Sequence, residues 1–205
     1  MNKLNLRCMD VNLCRPNEVA QRFREIPKFF DIHKGFIKQP VLDIGPPNYV
    51  GERLFKMYGW EYHWTEGDLS REWKPSHELK YKTVICFEVL EHLINPGICL
   101  DNIKRYCAKD ASIFVSVPRR GLFDWQGSNM KFTSDLHFHE FDKKRIQCLW
   151  DECGYEVLDE THFIRSVLLK DLFGWWKPIV RTLTGRQLKI IVRNYLYFLK
   201  FKGQQ

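Results

Sequence analysis

The sequence has no apolar stretch near the roughly 20 residues needed to cross a bilayer, and its first 15 residues lack the apolar segment of a signal peptide. We therefore expect a soluble, cytoplasmic protein. The chain of 205 residues also has no internal repeat, low-complexity tract or C-x-x-C pair, which excludes repeat arrays. Its seven cysteines are odd in number and scattered, so we expect reduced thiols rather than a disulfide framework.

Metal-ligand patterns are weak as well. Cys148 and Cys153 with a nearby histidine would make a poor zinc set, and His137, His139 and Glu140 form a compact group of ligand types. No further ligand accompanies either group. We therefore expect no metal at either group.

The excess of positive charge lies in one part of the chain. The net charge is +7, and from Arg165 onward nine Lys or Arg stand against one acid, Asp171. Aromatic residues are interleaved with these bases, which suits a membrane surface or a lipid-linked substrate. A structural role is the alternative, because 193–202 alternates like a final antiparallel strand and 163–183 could cap the substrate side. For the tryptophan pair within 173–177 both interpretations stay open.

Apolar periodicity predicts strands alternating with helices. The predicted helices cover 16–38, 49–58, 96–107 and the stretch after Asp142, and the predicted strands cover 41–44, 61–65, 83–87, 111–117 and 155–159. Pro27 should kink or break the first helix. This alternation indicates a mostly parallel, Rossmann-like α/β sheet with helices on both faces. Ligands of such sheets bind beyond the carboxyl ends of the strands, here near Gly45, Glu66, Glu88 and Pro118.

Two acidic residues follow the first two predicted strands. Asp43 ends the first strand and Gly45 follows, where a glycine permits close backbone approach to a ligand. Asp43 would order this loop through backbone hydrogen bonds or face a ligand ammonium. Glu66 lies 23 residues later, where a carboxylate can accept both hydroxyls of a ribose. An ordinary strand exit and an exposed acidic turn are the plainer alternatives, and the spacing favours a ligand site.

The order of these and later segments resembles the class I S-adenosylmethionine-dependent methyltransferases of types 11 and 12. The resembling segments are Val-Leu-Asp-Ile-Gly at 41–45, Gly-Asp-Leu at 67–69, Phe-Glu-Val-Leu-Glu-His-Leu-Ile-Asn-Pro at 87–96, Ile-Phe-Val-Ser-Val-Pro at 113–118, His-Phe-His-Glu-Phe at 137–141 and Cys-Gly-Tyr-Glu-Val at 153–157. They span roughly 38–160, and 88–96 is the most specific of them.

The resemblance implies S-adenosyl-L-methionine as cofactor and in-line methyl transfer to a small-molecule, glycan or lipid-linked acceptor. The implied cofactor contacts are Asp43, Gly45, Pro46, Glu66, Asp68, Leu69, Phe87 and Glu88, with Asp68 and Leu69 near the adenine. The acceptor is expected near 118–125, 137–139 and the basic C-terminal tail, with Pro118, Arg119, His137 and His139 as candidate contacts.

A base is needed only where the acceptor must lose a proton, because the methyl group is already activated and the protein mainly positions the reactants. Glu88, Glu91 and His92 lie near the end of the third predicted strand, and the catalytic candidates taken from them are His92 and Glu88. A structural, backbone-bonded role is an equal alternative for His92.

Two features depart from the family pattern. Pro46 and Pro47 occupy loop positions where the family has further glycines, and the next glycine is Gly51. Proline supplies no N–H, so we expect a reshaped loop or weaker cofactor binding. Only about 16 residues separate Glu66 from Thr83, too few for the usual helix, strand and helix. The sheet should therefore have lost or severely shortened a strand at that edge.

The predicted organisation is a single domain over 1–205. It divides into a helical segment at 1–38, a cofactor-binding core at 39–160 and a basic aromatic extension at 161–205, which could add peripheral membrane contact. Two alternatives come from other classes. One is a non-catalytic binding module with the methyltransferase fold, suggested by the proline loop. The other is a nucleic-acid-binding protein, suggested by the charge, although no nucleic-acid module is recognised.

Overall fold

The computed structural model describes residues 16–119, 138–139, 141–168 and 189–203. Its helices are α1 (Pro16–Ile32), α2 (Tyr49–Tyr58), α3 (Pro96–Tyr106) and α4 (Lys143–Glu152), and its strands are β1 (Val41–Asp43), β2 (Thr65–Gly67), β3 (Trp73–Pro75), β4 (Tyr81–Phe87), β5 (Cys107–Arg119), β6 (Tyr155–Leu168) and β7 (Lys189–Phe201). Single 3-10 turns cover Lys34–Phe36 and Leu90–His92. None of the helices in these ranges is long and apolar enough to cross a membrane.

The central sheet has five strands in the order β1-β4-β5-β7-β6. Strands β1, β4 and β5 pair in parallel, whereas β7 runs antiparallel to both of its neighbours. The predicted Rossmann-like α/β fold class is therefore confirmed, and so is the final antiparallel strand predicted at 193–202, which is β7. Because β5 and β6 both run opposite to β7, the carboxyl ends of β1, β4, β5 and β6 share one edge of the sheet.

The hydrophobic core has two parts, one on each face of the sheet. On the α1 and α2 face, the buried residues are Ile26, Phe29, Phe30, Val41, Leu54, Phe55, Ile85, Phe114, Leu196 and Phe198. On the other face, α3 and α4 pack through Leu100, Ile103, Ile146 and Trp150 against the sheet. Successive residues of β4 serve both faces: Val84 and Cys86 belong to the second core and Ile85 to the first. The five described cysteines are free thiols, and four of them are buried.

Capping residues set the starts of three helices, and the sequence predicts two of them, Asn95 and Asp142. Asn48 caps α2 by accepting from the Gly51 N–H, and Asp142 caps α4 by accepting from the Arg145 N–H. Asn95 caps α3 in the same way, with Pro96 at its first position. At the other end of α2, Gly59 has φ 67°, a left-handed conformation that glycine adopts without strain.

The shortened sheet edge is confirmed. In the stretch predicted as a strand at 61–65, only His63 pairs with the central sheet, through an isolated parallel bridge to Leu42. Strand β2 lies after this point and pairs antiparallel with β3 in a separate two-stranded sheet. The boundary predicted at 61–65 is therefore wrong. Five residues connect β2 to β3, which allows an antiparallel return but no parallel crossover.

Helix α1 and strands β5 and β6 also differ in extent from the prediction. Helix α1 passes through Pro27 without a break and ends at Ile32, before Gly35, instead of reaching residue 38. Strand β5 continues past Pro118, which is tolerated because the β4 pairing has already ended at Ser116. Strand β6 continues from 159 to Leu168 because β7 pairs along its whole length. Residues 163–168 are thus strand, and the rest of the cap predicted at 163–183 lies outside the described residues.

Phe30 offers a test of how α1 packs on the sheet. It is 1% exposed and contacts Phe87 and Phe114 with ring centroids 5.9 and 5.2 Å away. Phe30→Ala should lower the free energy of unfolding in urea by about 3–5 kcal/mol. Ile32→Ala, on the same helix at 72% exposed, should cost less than ~1 kcal/mol. Equal effects of the two substitutions would contradict this packing.

Candidate functional site

A buried carboxylate lies at the carboxyl end of β1. Asp43 is 6% exposed, and its Oδ2 accepts from the Tyr62 hydroxyl at 3.0 Å and from Asn48 Nδ2 at 3.3 Å. Burial raises the pKa of Asp43 to about 7, although both hydrogen bonds favour the charged form. Burial and the neighbouring carboxylate together raise the pKa of Tyr62. Asp43 can therefore change its charge near neutral pH.

The loop after β1 is joined to the start of β2. Gly45 has φ 134°, and its N–H donates to Thr65 Oγ1 at 2.7 Å. The Thr65 N–H in turn donates to the Gly45 carbonyl at 3.0 Å. Glu66, the next residue, is exposed in β2 opposite Lys74. These bonds hold the predicted ribose carboxylate beside the loop in which Gly45 and Asp43 lie.

Gly51 allows α2 to approach the Asp43 carboxylate. A Cβ placed at Gly51 would lie against Asp43 Oδ2 and 2.5 Å from the Tyr62 hydroxyl. The glycines that the family pattern places directly after Gly45 are replaced here by Pro46 and its neighbours. The close approach is instead made at Gly51, in the first turn of the helix.

Glu88 has a strained backbone at the carboxyl end of β4. Its φ is 55°, and it is the single non-glycine residue with positive φ in the described ranges. Ser116 of β5 holds it from two sides: its carbonyl accepts from the Glu88 N–H at 3.0 Å, and its hydroxyl donates to Glu88 Oε1 at 2.8 Å. Strain of this kind gathers at functional sites. The backbone conformation of Glu88 directs its carboxylate toward Ser116 of β5.

The 3-10 turn after Glu88 gathers a second group of site candidates. Glu91 is 1% exposed, and His92 Nε2 lies 3.8 Å from its Oε1. The Glu91 carbonyl accepts from the N–H groups of Phe138 and His139 at 2.8 and 3.1 Å. His139 also places Nε2 3.3 Å from the Ile94 carbonyl. The turn therefore brings His92 and His139 together, as candidates for the base and the acceptor side.

Asp68 and Leu69, which the resemblance places near the adenine, lie in a turn after β2 that is hydrogen-bonded to the segment following the 3-10 turn. The Asp68 carboxylate accepts from the Ser70 N–H at 2.9 Å, and Ser70 Oγ accepts from the Ile94 N–H at 3.0 Å. Leu69 is partly buried against the core of the α3 and α4 face. Asp68 and Leu69 thus flank the 3-10 turn from the β2 side.

The remaining predicted site residues lie around this edge. Pro46 is half-buried, and its carbonyl accepts from Asn48 Nδ2 at 3.2 Å. Phe87 ends β4 and packs on Phe30, toward α1. Pro118 and Arg119 end β5, opposite Asn194 and Arg193 of β7. His137, the stretch 120–125 and the tryptophan pair within 173–177 lie outside the described residues.

Sequence reasoning missed four residues that hold the site together: Asn48, Tyr62, Thr65 and Ser116. Asn48 had a usable signal, because an asparagine followed by a helical pattern is a common N-cap. The other three hydrogen-bond to residues 19 to 28 positions away, so no local spacing could reveal them.

A family model described as a methyltransferase domain matches residues 16–160. The chain therefore belongs to this family of methyltransferase domains. A search of curated proteins found no significant match.

Solved structures agree with the fold. The glycopeptide N-methyltransferase MtfA, complexed with S-adenosyl-L-methionine, has a TM-score of 0.56 at 11% identity, covering 86% of this chain and 92% of its own. Phosphoethanolamine N-methyltransferase 2 of Haemonchus contortus, in complex with S-adenosyl-L-methionine, has a TM-score of 0.55 at 13% identity, covering 87% and 53%. The [4+2]-cyclase SpnF has a TM-score of 0.51 at 9% identity, covering 87% and 82%. At these identities the likeness establishes the fold alone.

Gly51→Ala tests the close approach of α2 to Asp43. The added methyl must displace Asp43 Oδ2 and the Tyr62 hydroxyl, so we expect the free energy of unfolding to fall by about 1–3 kcal/mol. Gly35→Ala is the matched control, because nothing lies within 4 Å of its Cβ position, and it should change stability by less than ~0.5 kcal/mol. Chemical denaturation of both variants measures the difference. An unchanged Gly51→Ala would mean that α2 lies further from Asp43.

Proposed function

We propose that this protein binds S-adenosyl-L-methionine and transfers its methyl group to a small-molecule, glycan or lipid-linked acceptor. The observation that carries the proposal is the meeting of three features at the carboxyl edge of β1 and β4. These are the buried Asp43, the left-handed Gly45 bonded to Thr65, and the strained Glu88 bonded to Ser116. Sheets of this kind bind ligands at this edge, and the chain belongs to the methyltransferase family.

The residues present suit the parts of the cofactor. Gly45 turns the chain with a positive φ that favours glycine, and the Asp43 carboxylate offers a counter-charge to an ammonium. Glu66 is exposed beside this loop and can accept both ribose hydroxyls. Asp68 and Leu69 offer a polar and an apolar group for the adenine. The cofactor supplies an activated methyl on a sulfonium, and the chain supplies position.

The acceptor would approach from the side of Glu88, His92 and His139. Glu88 is half-buried and held by Ser116, so its carboxylate can orient an acceptor amine or hydroxyl. His92 is the candidate to take a proton from the acceptor where one must be lost. The neighbouring buried carboxylate of Glu91, 3.8 Å from His92 Nε2, can orient the imidazole ring. This arrangement leaves the methyl transfer itself to proximity and alignment.

Small acceptors fit the chain better than nucleic acid does. Two of the structural neighbours act, by name, on phosphoethanolamine and on a glycopeptide. The charge that suggests nucleic acid is partly used within the fold: Lys200 donates to the Asp110 carbonyl, and Lys202 pairs with Asp151 at 2.7 Å. Burial also lowers the pKa of Lys200, which is unlike a base presented to phosphates.

A binding module without methyl transfer is the second candidate. It is favoured by the two protein donors, Tyr62 and Asn48, that already engage Asp43 Oδ2, and by the proline loop next to them. A methyltransferase fold also does not fix the chemistry, since one neighbour is a [4+2]-cyclase. This candidate predicts no affinity for the cofactor or its product.

Calorimetric titration with S-adenosylhomocysteine separates the two candidates. The wild type should bind, and Glu66→Ala should weaken binding by about 1–3 kcal/mol, the scale of a lost hydrogen-bond partner. Glu78→Ala, which removes an exposed acid between β3 and β4, should leave the affinity within twofold. No heat of binding to the folded wild type would reject the cofactor assignment and favour the binding module.

The affinity for S-adenosylhomocysteine should depend on pH through Asp43. The free protein holds Asp43 with a pKa near 7, and a bound ammonium favours the carboxylate, so binding releases a proton below pH 7. Affinity should therefore rise by up to ~10-fold per pH unit from about pH 5 to 7 and level off above. Asp43→Asn should flatten this profile while Glu78→Ala keeps it. The same slope in Asp43→Asn would assign the titration to another group.

A further inference from the structure

A second cluster of ligand-bearing side chains lies at the open edge of the sheet, beside the start of β4. Along the segment that replaces the lost strand, Tyr62 donates to Asp43, whereas the next residue, His63, faces His77 and packs on the Tyr81 ring at 5.5 Å. Glu61 completes the cluster. One ligand atom from each of Glu61, His63 and His77 lies within 4.8 Å of the others.

The imidazole rings of His63 and His77 face each other through their Nδ1 atoms. His63 Nδ1 lies 3.1 Å from His77 Nδ1, and His63 Nε2 lies 3.5 Å from Glu61 Oε2. A tetrahedral zinc ion with Zn–N bonds of 2.0–2.1 Å holds neighbouring nitrogens about 3.3 Å apart. The two Nδ1 atoms are therefore already close to the spacing of two zinc ligands.

His63 is suited to be the fixed ligand. It is 2% exposed, and its backbone is held to β1 because its carbonyl accepts from the Asp43 N–H at 2.9 Å. His77 and Glu61 are exposed, with the Glu61 side chain at 75%, and can turn toward an ion.

We propose that Glu61, His63 and His77 form a binding site for a divalent transition metal, with Zn²⁺ as the first ion to test. The two Nδ1 atoms and one carboxylate oxygen give three protein ligands, and water takes the fourth position. The site is distinct from the groups Cys148/Cys153 and 137–140 weighed in the sequence. His63 and His77 lie 14 residues apart in the sequence. They come together because the β2–β3 hairpin between them turns the chain back on itself.

An ion at this site would stabilise the edge of the sheet next to β1. It would join the segment before β2 to the segment after β3, where the Ser76 N–H already donates to the Trp64 carbonyl at 2.8 Å. Any ion that binds the folded chain and not the unfolded one raises stability in proportion to the logarithm of its concentration over its dissociation constant. The melting temperature is therefore a readout that needs neither cofactor nor acceptor.

The test is a titration of chelator-treated protein with ZnCl₂, followed by calorimetry and by the shift in melting temperature. The wild type should bind one ion and melt at a higher temperature with zinc. His77→Ala and Glu61→Gln change exposed residues, should fold, and should each weaken binding by at least ~10-fold. His162→Ala removes another exposed histidine, on β6, and should bind as the wild type does.

Cobalt gives an independent readout, because a tetrahedral Co²⁺ site with nitrogen and oxygen ligands absorbs visible light strongly. The absorption should form with the wild type and with His162→Ala, and be lost with His77→Ala. No zinc binding by the wild type, or equal binding by His77→Ala, would overturn the proposal and leave an imidazole–imidazole hydrogen bond. Because the probe is the metal alone, failure here is distinct from failure to bind S-adenosylhomocysteine.

Discussion

The parallel pairing of β4 with β1 and β5 is the interaction on which the rest of the structure depends. Val84 and Cys86 point to one core and Ile85 to the other, so one strand anchors the helices of both faces. The same pairing aligns the carboxyl ends of β1 and β4 and fixes where Asp43 and Glu88 lie. The candidate site is thus a direct product of strand register, and a slip of one residue would exchange the two faces.

Much of this arrangement could be predicted from the sequence, because it depends on local pattern. The apolar runs predicted β1, β4 and β5. The caps Asn95 and Asp142 predicted the starts of α3 and α4. The small number of residues between Glu66 and Thr83 predicted the missing strand. Each of these signals lies within a short window. Family resemblance then added the order of segments, which no single window contains.

What could not be predicted depends on distant residues. The His63 bridge and the β2–β3 hairpin replace a strand that periodicity placed at 61–65, because the choice of partner is made by the whole sheet. The lengths of β5 and β6 depend on β7, which arrives from the far end of the chain. The bonds of Thr65 to Gly45 and of Ser116 to Glu88 join residues that only the folded sheet brings together.

The pairing of β6 with β7 has a consequence for how the protein could change during evolution. It continues for five residues of β6 beyond the Phe163–Asn194 pair, to Leu168 and Lys189, about 17 Å further at 3.3–3.4 Å per residue. This ribbon projects past the edge where the cofactor is proposed to bind, whereas the groups described around Asp43 and Gly45 come from Asn48, Tyr62 and Thr65. The ribbon and the proposed cofactor site are thus built from different parts of the chain, so substitutions in one need not disturb the other.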